Sequence, residues 1–335
     1  MATLCKQCLT LALSWLLVCY VLLFAAAIVA QEARWEVPRN AFGQPNMQGV
    51  WFYGTATPFA RAPELGNQAN YSAHDVESLL KGLDDLERQK RARVDPSLGL
   101  PQAKAAIAQE ADHNFAFART NLINIRGEYR TSQVIVPNNG RLPYLPNGKD
   151  YFENQLALGH GAFDGPETRP VSERCAGPNA GPMAPMVSWF YNANVQIIQT
   201  KDYVVVLAEM NHDARIIPLS PQVRKMPFPQ WMGHSVGHWD DDVLIVHTVG
   251  FRPEQSWFAF KLSDQLEVTE QFTLISNDEI LYRYTFTDPK IYSAPVTVEK
   301  TLRRRKANEP ILEYACHEGN YSLPNILAGA RRLEK

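Results

Sequence analysis

The chain lacks the short motifs that mark the commonest enzyme classes. It contains no serine nucleophile elbow, no phosphate loop, no dinucleotide-binding glycine fingerprint and no haem attachment motif. Its formal net charge is -2, and its one basic cluster, residues 303–306, is typical of a solvated strand end. These absences argue against nucleotide-dependent and serine-hydrolase mechanisms. They give no indication of a nucleic-acid partner.

Charge is also missing from the N-terminal segment. Residues 9–30 are uncharged, follow Lys6, and end in small residues that include Ala27 and Ala30. This order is typical of a secretory signal in residues 1–30, so we expect a periplasmic or secreted protein. Because about 20 apolar residues suffice to cross a bilayer, an uncleaved membrane anchor through residues 9–30 is the alternative to cleavage.

Cysteine is scarce once this segment is set aside. Of the five cysteines, Cys5, Cys8 and Cys19 lie within it, which leaves Cys175 and Cys316. No Cys-x-x-Cys motif is present, and two cysteines in an oxidising compartment predict one disulfide rather than a redox site. Closing so long a loop would contribute roughly 4–5 kcal/mol on the chain-entropy model.

The rest of the chain changes character near residue 190. Residues 31–189 are irregular, with helices predicted at 74–93 and 101–117 and short strands at 48–55 and 131–136. Residues 190–335 read as hairpins in series, with predicted strands at 195–200, 203–210, 214–219, 235–239, 243–249, 266–275, 279–287 and 296–304.

Consecutive antiparallel strands of this kind predict a mainly β fold. We expect the meander to close into a lipocalin-like β-barrel, because closure removes exposed strand edges. A two-sheet β-sandwich is the alternative. The early strands join the same sheet, so both regions form one domain, and a barrel of this size can enclose one small apolar ligand.

The candidate catalytic residues are His234, His247 and Glu209. His247 alternates in phase with apolar strand residues, so we expect its imidazole to be shielded from solvent. Glu209 shares a face with Tyr203 and Leu207, which predicts an inward carboxylate. A shielded histidine beside a carboxylate is a tuned acid or base. The alternative for each residue is a hydrogen-bonded core or an outward-facing position.

Further residues are candidates for substrate binding. His212 lies in a turn that we place at the barrel mouth, where Asp213 would orient the imidazole and Arg215 would bind an anion; a plain turn is the alternative. Aromatic side chains would form the pocket wall, with candidates at Trp231, Tyr53, Tyr191 and Tyr284.

No metal or other cofactor is predicted. His234 and His238 have the spacing of a helical zinc site, but the adjacent glycines and strand pattern predict an extended chain. The two imidazoles would then lie about 13 Å apart, too far to share one ion. The adjacent residues 240–242 fit a hairpin turn better than a calcium loop.

Several motifs resemble a large group of secreted bacterial proteins of uncharacterised function. They are NVQIIQTKDYVVVLAEMNHDARIIPL in residues 194–219, WMGHSVGHW in residues 231–239 and EYACHEGNYSLPNILAGA in residues 313–330. The resemblance implies export and a β-rich fold, and it implies no reaction. Where the group usually carries acids, this chain has His234 and His247, which predicts altered chemistry there.

These observations favour a cofactor-independent acid-base enzyme acting on a small hydrophobic metabolite in a barrel pocket. An isomerase, cyclase or lyase fits better than a hydrolase, because no activated nucleophile is visible. The alternative is an exported small-molecule-binding barrel without catalytic activity.

Overall fold

The structure is a computed structural model that describes residues 35–91, 121–176, 184–188, 192–220, 228–256 and 260–334. By contacts the chain divides into residues 1–37, of which only 35–37 are described, and residues 38–335. The helix predicted at 101–117 and the side chain of Tyr191 lie outside the described residues. Among those described, no helix combines the length and apolar character needed to span a bilayer.

Twelve strands occur in the described residues, and most follow the predicted hairpin series. Their bounds are β1 Gly49–Phe52, β2 Asn124–Ile125, β3 Glu128–Tyr129, β4 Val134–Val136, β5 Asn194–Gln199, β6 Tyr203–Ala208, β7 Ala214–Pro218, β8 His234–Asp240, β9 Val243–Val249, β10 Glu267–Leu274, β11 Glu279–Thr287 and β12 Val296–Arg304.

Nine of these strands form one continuous sheet in the order β7-β6-β5-β1-β12-β11-β10-β9-β8. All eight pairings along this path are antiparallel. The early strand β1 joins the two halves of the meander by pairing with both β5 and β12. Strand β4 pairs with β12 off this path, and β2 and β3 form a separate two-residue ladder.

The two ends of the sheet, β7 and β8, meet at a seam. Leu219, just after β7, bridges Gly237 of β8 in parallel, and Ser220 N donates to Gly237 O at 3.0 Å. A side chain at Gly237 would place its Cβ 3.1 Å from Ile217 Cγ2, so glycine permits this close approach. The sheet is thus a nearly closed barrel, which confirms the predicted fold.

Alternation along the strands fills the barrel interior with large side chains. On β11, Ile280, Tyr282, Tyr284 and Phe286 are fully buried, while Arg283 between them is exposed. The rings of Tyr282 and Tyr284 lie 5.2 Å apart, and Phe272 of β10 lies 4.8 Å from Tyr282. Each such side chain contributes about 1.5–3 kcal/mol by leaving water, so this aromatic layer is a main source of stability.

Three α-helices are described: α1 Ala73–Arg91, α2 Tyr151–Ala157 and α3 Ser322–Leu333. The prediction of α1 is confirmed, including its start, where Ser72 Oγ accepts from Asp75 N at 3.2 Å. Helices α2 and α3 were not predicted. Helix α2 carries a full capping box, in which Asp150 and Glu153 accept from each other's backbone N–H, and this pattern is readable in the sequence.

The predicted disulfide is confirmed. Cys175 and Cys316 are bonded, with their Cα atoms 5.8 Å apart. The bond ties the turn at residues 171–176 to the segment that precedes α3, 141 positions further along the chain. A disulfide fits an oxidising compartment.

Candidate functional site at the barrel seam

Arg215 crosses the seam from β7 to the strands beyond it. Its side chain is buried, and its Nε donates to Ser235 Oγ of β8 at 3.0 Å. Its Nη2 donates to Thr248 Oγ1 of β9 at 3.1 Å, and its Nη1 donates to Glu270 Oε1 of β10 at 2.9 Å. One guanidinium therefore joins four strands where backbone pairing between β7 and β8 is sparse.

The Arg215–Glu270 ion pair continues into the barrel interior. Tyr282 Oη donates to Glu270 Oε1 at 2.7 Å and accepts from Met186 N at 2.9 Å. Both charged side chains are almost fully buried. Because each carries several hydrogen bonds as well as its opposite charge, the network satisfies the conditions for a stable buried pair.

An open cleft of about 450 Å³ lies against the outer end of this network. The start of β7, the loop before β8 and the loop after β9 form its walls. The lining residues are Asp213, Ala214, Arg215, Ile216, Pro229, Gln230, Trp231, Met232, Gly233, Ser235 and Arg252. We call this the seam cleft.

Asp213 is the acid of the seam cleft. The preceding turn contains Asn211 and His212 at φ 59° and 53°, an arrangement that reverses the chain immediately before Asp213 and β7. Asp213 Oδ2 is buried, and no group in the described part of the chain forms a hydrogen bond with it. Burial raises the pKa of this carboxyl to about 6, so it exchanges a proton close to neutral pH.

Trp231 and Arg252 line the adjacent wall of the cleft, and Arg174 lies beside Trp231. Arg252 Cζ lies 4.1 Å from the centre of the Trp231 ring, and Arg174 Cζ lies 5.8 Å from it. Arg252 also pairs with Glu254 at 2.5 Å, and this hydrogen bond raises the pKa of Arg252. The two guanidinium groups are attracted to the Trp231 ring, which places positive charge next to this wall of the cleft.

The two predicted catalytic histidines lie on the outer face of the sheet, which corrects the expectation that they share a pocket. Leu244, Val246 and Thr248 occupy the buried face of β9, so strand alternation turns His247 outward. Its Nδ1 lies 3.3 Å from Thr269 Oγ1. His234 also faces outward, with Nε2 2.7 Å from Phe228 O.

Glu209 is buried as predicted, but the reason given for it was wrong. The face it would share on β6 is the outer one, since Tyr203 is exposed and Val204 is buried. Strand β6 ends at Ala208, and Glu209 then turns inward in a helical conformation. Its carboxylate accepts from the side chains of Asn192 and Asn194 at 3.0 Å each and from Leu312 N at 3.1 Å.

Because its carboxylate accepts three hydrogen bonds, Glu209 has a structural role. Among the described residues, Glu209 forms no hydrogen bond with either His234 or His247. The predicted catalytic trio is therefore not assembled in this structure.

The predicted binding residues are divided between several places. Arg215 and Trp231 both line the seam cleft. His212 is exposed and accepts from Tyr314 N at 3.2 Å instead of contacting Asp213. Tyr53 and Tyr284 are fully buried, and their hydroxyl groups find no hydrogen-bond partner within the described segments.

The barrel interior also contains a buried lysine. Lys300 of β12 lies opposite Tyr282 in the register, and its Nζ contacts Ser188 Oγ at 3.2 Å and Tyr53 O at 3.4 Å. Within the described residues no carboxylate pairs with it. Burial lowers the pKa of its amine well below the usual 10.5.

Sequence reasoning gave Asp213 only a supporting role and missed Arg174, Arg252 and Ser235. The turn at Asn211 was a readable signal for Asp213, since asparagine tolerates positive φ. The others come from separate loops and strands that meet only when β7 and β8 close the barrel.

Comparison with known proteins finds no family model, no curated protein and no solved structure that matches the chain. The function proposed below therefore depends on the geometry of the seam cleft.

Proposed function

We propose that the protein is an exported, cofactor-independent acid-base enzyme that acts on a small apolar metabolite in the seam cleft, with Asp213 as its proton carrier. One observation carries the proposal. Asp213 lines the cleft with a buried oxygen that has no hydrogen-bond partner among the described residues, and burial raises the pKa of its carboxyl to about 6. Acids and bases with pKa values near the working pH are the most effective in catalysis.

A single such carboxyl favours an isomerase over the other two classes, a cyclase or a lyase. Among the described lining residues, Asp213 is the only carboxylic acid and no histidine is present. One carboxylate can take a proton from one position of a substrate and return it to another position of the same molecule. That cycle consumes no co-reactant and leaves the aspartate in its starting state.

The neighbouring side chains support binding of a mainly apolar molecule. Trp231, Met232 and Ile216 supply apolar surface, and Ile216 remains 61 % exposed. Ser235 faces the cleft, but its hydroxyl already binds Arg215 and Thr248 Oγ1. Substrate binding at this wall is therefore assigned to apolar contact and to the arginine charges.

The test is a comparison of turnover. Purified protein is incubated with a small-molecule extract of its own organism, and converted compounds are identified by mass spectrometry and NMR. The variants are Asp213→Asn and, as a matched control, Asp240→Asn at an exposed strand end. We expect a compound converted by wild type and Asp240→Asn but not by Asp213→Asn. Equal conversion by Asp213→Asn would contradict the proposal.

An exported binding protein without catalytic activity is the second candidate. The presence of only one acid among the described lining residues favours it, because many proton transfers need a second group. In the same experiment, a compound retained unchanged by wild type and by Asp213→Asn would favour this candidate. Export itself is supported by the N-terminal signal pattern and by the disulfide, and cell fractionation tests it.

A further inference from the structure

Arg174 has a guanidinium edge without an acceptor. Its Nε and Nη2 are both buried, and neither has a hydrogen-bond partner among the residues that the structure describes. These two groups form the edge that binds a carboxylate with two parallel hydrogen bonds. Buried charged donors without acceptors are costly, so this edge requires an acceptor from outside the protein, either water or a ligand.

In two other arginines the same pair of atoms, Nε and Nη2, binds a carboxylate. Arg169 donates from Nε and Nη2 to the two oxygens of Glu173 at 2.8 and 2.7 Å. Arg252 binds Glu254 through the same two atoms. Arg174 follows Glu173 directly in sequence, but that carboxylate is already held by Arg169.

Near Trp231, the carboxylates that could pair with Arg174 are already bound by other arginines. Glu270 pairs with Arg215, and Glu254 pairs with Arg252. No ion pair to Arg174 occurs within the described part of the chain. Arg174 Cζ lies 5.8 Å from the centre of the Trp231 ring, which lines the cleft, and the next residue, Cys175, is tied by the disulfide to Cys316.

We propose that the Arg174 edge binds an oxyanion of the cleft's ligand, which is then a small metabolite with an apolar part against Trp231 and one carboxylate or phosphate group. The inference rests on the proposed function, because it assigns the ligand class of the same cleft. Arginine suits this role since it stays charged and matches planar oxyanions with two bonds.

Calorimetric titration with benzoate, acetate, inorganic phosphate and sulfate tests the proposal. Arg174→Lys keeps the charge and removes the paired edge, while Arg141→Lys changes an exposed arginine and serves as the control. We expect at least one probe to bind wild type and Arg141→Lys, and to bind Arg174→Lys about 10- to 100-fold more weakly. The preferred probe distinguishes a carboxylate ligand from a phosphate ligand.

A second measurement reports on Arg174 directly. The NMR signal of its Nε–H, assigned by its absence in Arg174→Lys, should shift when the bound probe is added. Equal binding by Arg174→Lys, or no saturable binding of any probe by wild type, would overturn the inference.

Asp213→Asn separates the two proposals. Probe binding that persists in Asp213→Asn and is lost in Arg174→Lys supports the oxyanion site whatever the turnover result. Turnover lost in Asp213→Asn, with probe binding unchanged in Arg174→Lys, would overturn the oxyanion site and leave the proposed function standing.

Discussion

The barrel interior and the seam cleft meet at Arg215, but they differ in how completely their charged groups are hydrogen-bonded. Inside, the charge of Arg215 is met by Glu270, Ser235 and Thr248, and Tyr282 completes the network. At the cleft, Asp213 has an oxygen and Arg174, beside Trp231, has two donors for which the described residues provide no hydrogen-bond partner. Matched polar groups serve the fold, whereas unmatched groups beside a cleft are available to a ligand.

Substitutions in the two regions should therefore differ in how much they lower the free energy of unfolding. Interior variants should reduce stability, since a former partner is left buried and unpaired. Cleft variants should leave stability nearly unchanged and affect binding or turnover. Four predictions test this difference, beginning with the largest.

Loss of the disulfide should have the largest effect on stability. Cys175→Ser with Cys316→Ser removes the cross-link over 141 positions and should lower the free energy of unfolding by about 4–5 kcal/mol on the chain-entropy model. Urea unfolding with and without reductant measures it. Reductant should destabilise wild type and leave the variant unchanged; a variant as stable as oxidised wild type would contradict the prediction.

Breaking the interior ion pair should cost nearly as much. Arg215→Met leaves Glu270 buried without its cation, and the expected loss is roughly 3–5 kcal/mol. Adding Glu270→Met should recover part of this loss, because the unpaired charge is then gone. Arg174→Met, measured by the same urea unfolding, is the matched cleft variant and should cost less than about 1 kcal/mol. Equal losses at Arg215 and Arg174 would remove the distinction between the regions.

Lys300 is an interior residue whose charge has no opposite charge paired with it among the described residues, and the pH dependence of stability should show this. Because burial lowers the pKa of its folded-state amine, the unfolded chain holds more protons up to pH 10.5. Stability of wild type should therefore rise with pH toward 10.5, with a slope of at most about 1.4 kcal/mol per pH unit from this group. Lys300→Met should lack this rise. A rise of the same size in both proteins would assign it to other groups.

Asp213 should give the smallest effect on stability, with the opposite dependence on pH. Burial raises the pKa of its carboxyl from 3.8 to about 6, so the folded protein holds the proton more tightly. Its contribution is present below pH 4 and is lost as pH rises from about 4 to 6. The difference in unfolding free energy between wild type and Asp213→Asn should change across this window. A flat difference would show that the carboxyl is not perturbed by folding.

Much of the fold could be predicted from the sequence because strand patterns are local. The hairpins from Asn194–Gln199 to Val296–Arg304 carry period-two alternation and turn residues, and their predicted bounds differ from the structure by a few residues at most. Alternation alone did not show which face is interior. It placed His247 on the inner face, although this residue faces outward, because the partly apolar outer face of its strand resembles an inner one. It counted Glu209 as a strand residue, although β6 ends at Ala208 and Glu209 turns inward only after the strand.

The seam cleft could not be predicted in this way. Asp213, Trp231 and Arg252 line the cleft from three separate segments, and Arg174 reaches the Trp231 ring from a fourth. A sequence pattern shows the chemistry of each residue but gives no sign that the four become neighbours. An unpaired donor or a raised pKa is likewise a property of the assembled site.

The number of strands on the barrel path has a geometric consequence. Strands that alternate in direction can close a ring without a mismatch only when their number is even, and the described path holds nine. One junction must then join strands that run the same way, and that junction is β7 beside β8. An odd number of strands thus requires one junction without a regular antiparallel ladder. At this junction the side chain of Arg215 forms hydrogen bonds to β8 and β9, and the seam cleft lies beside it.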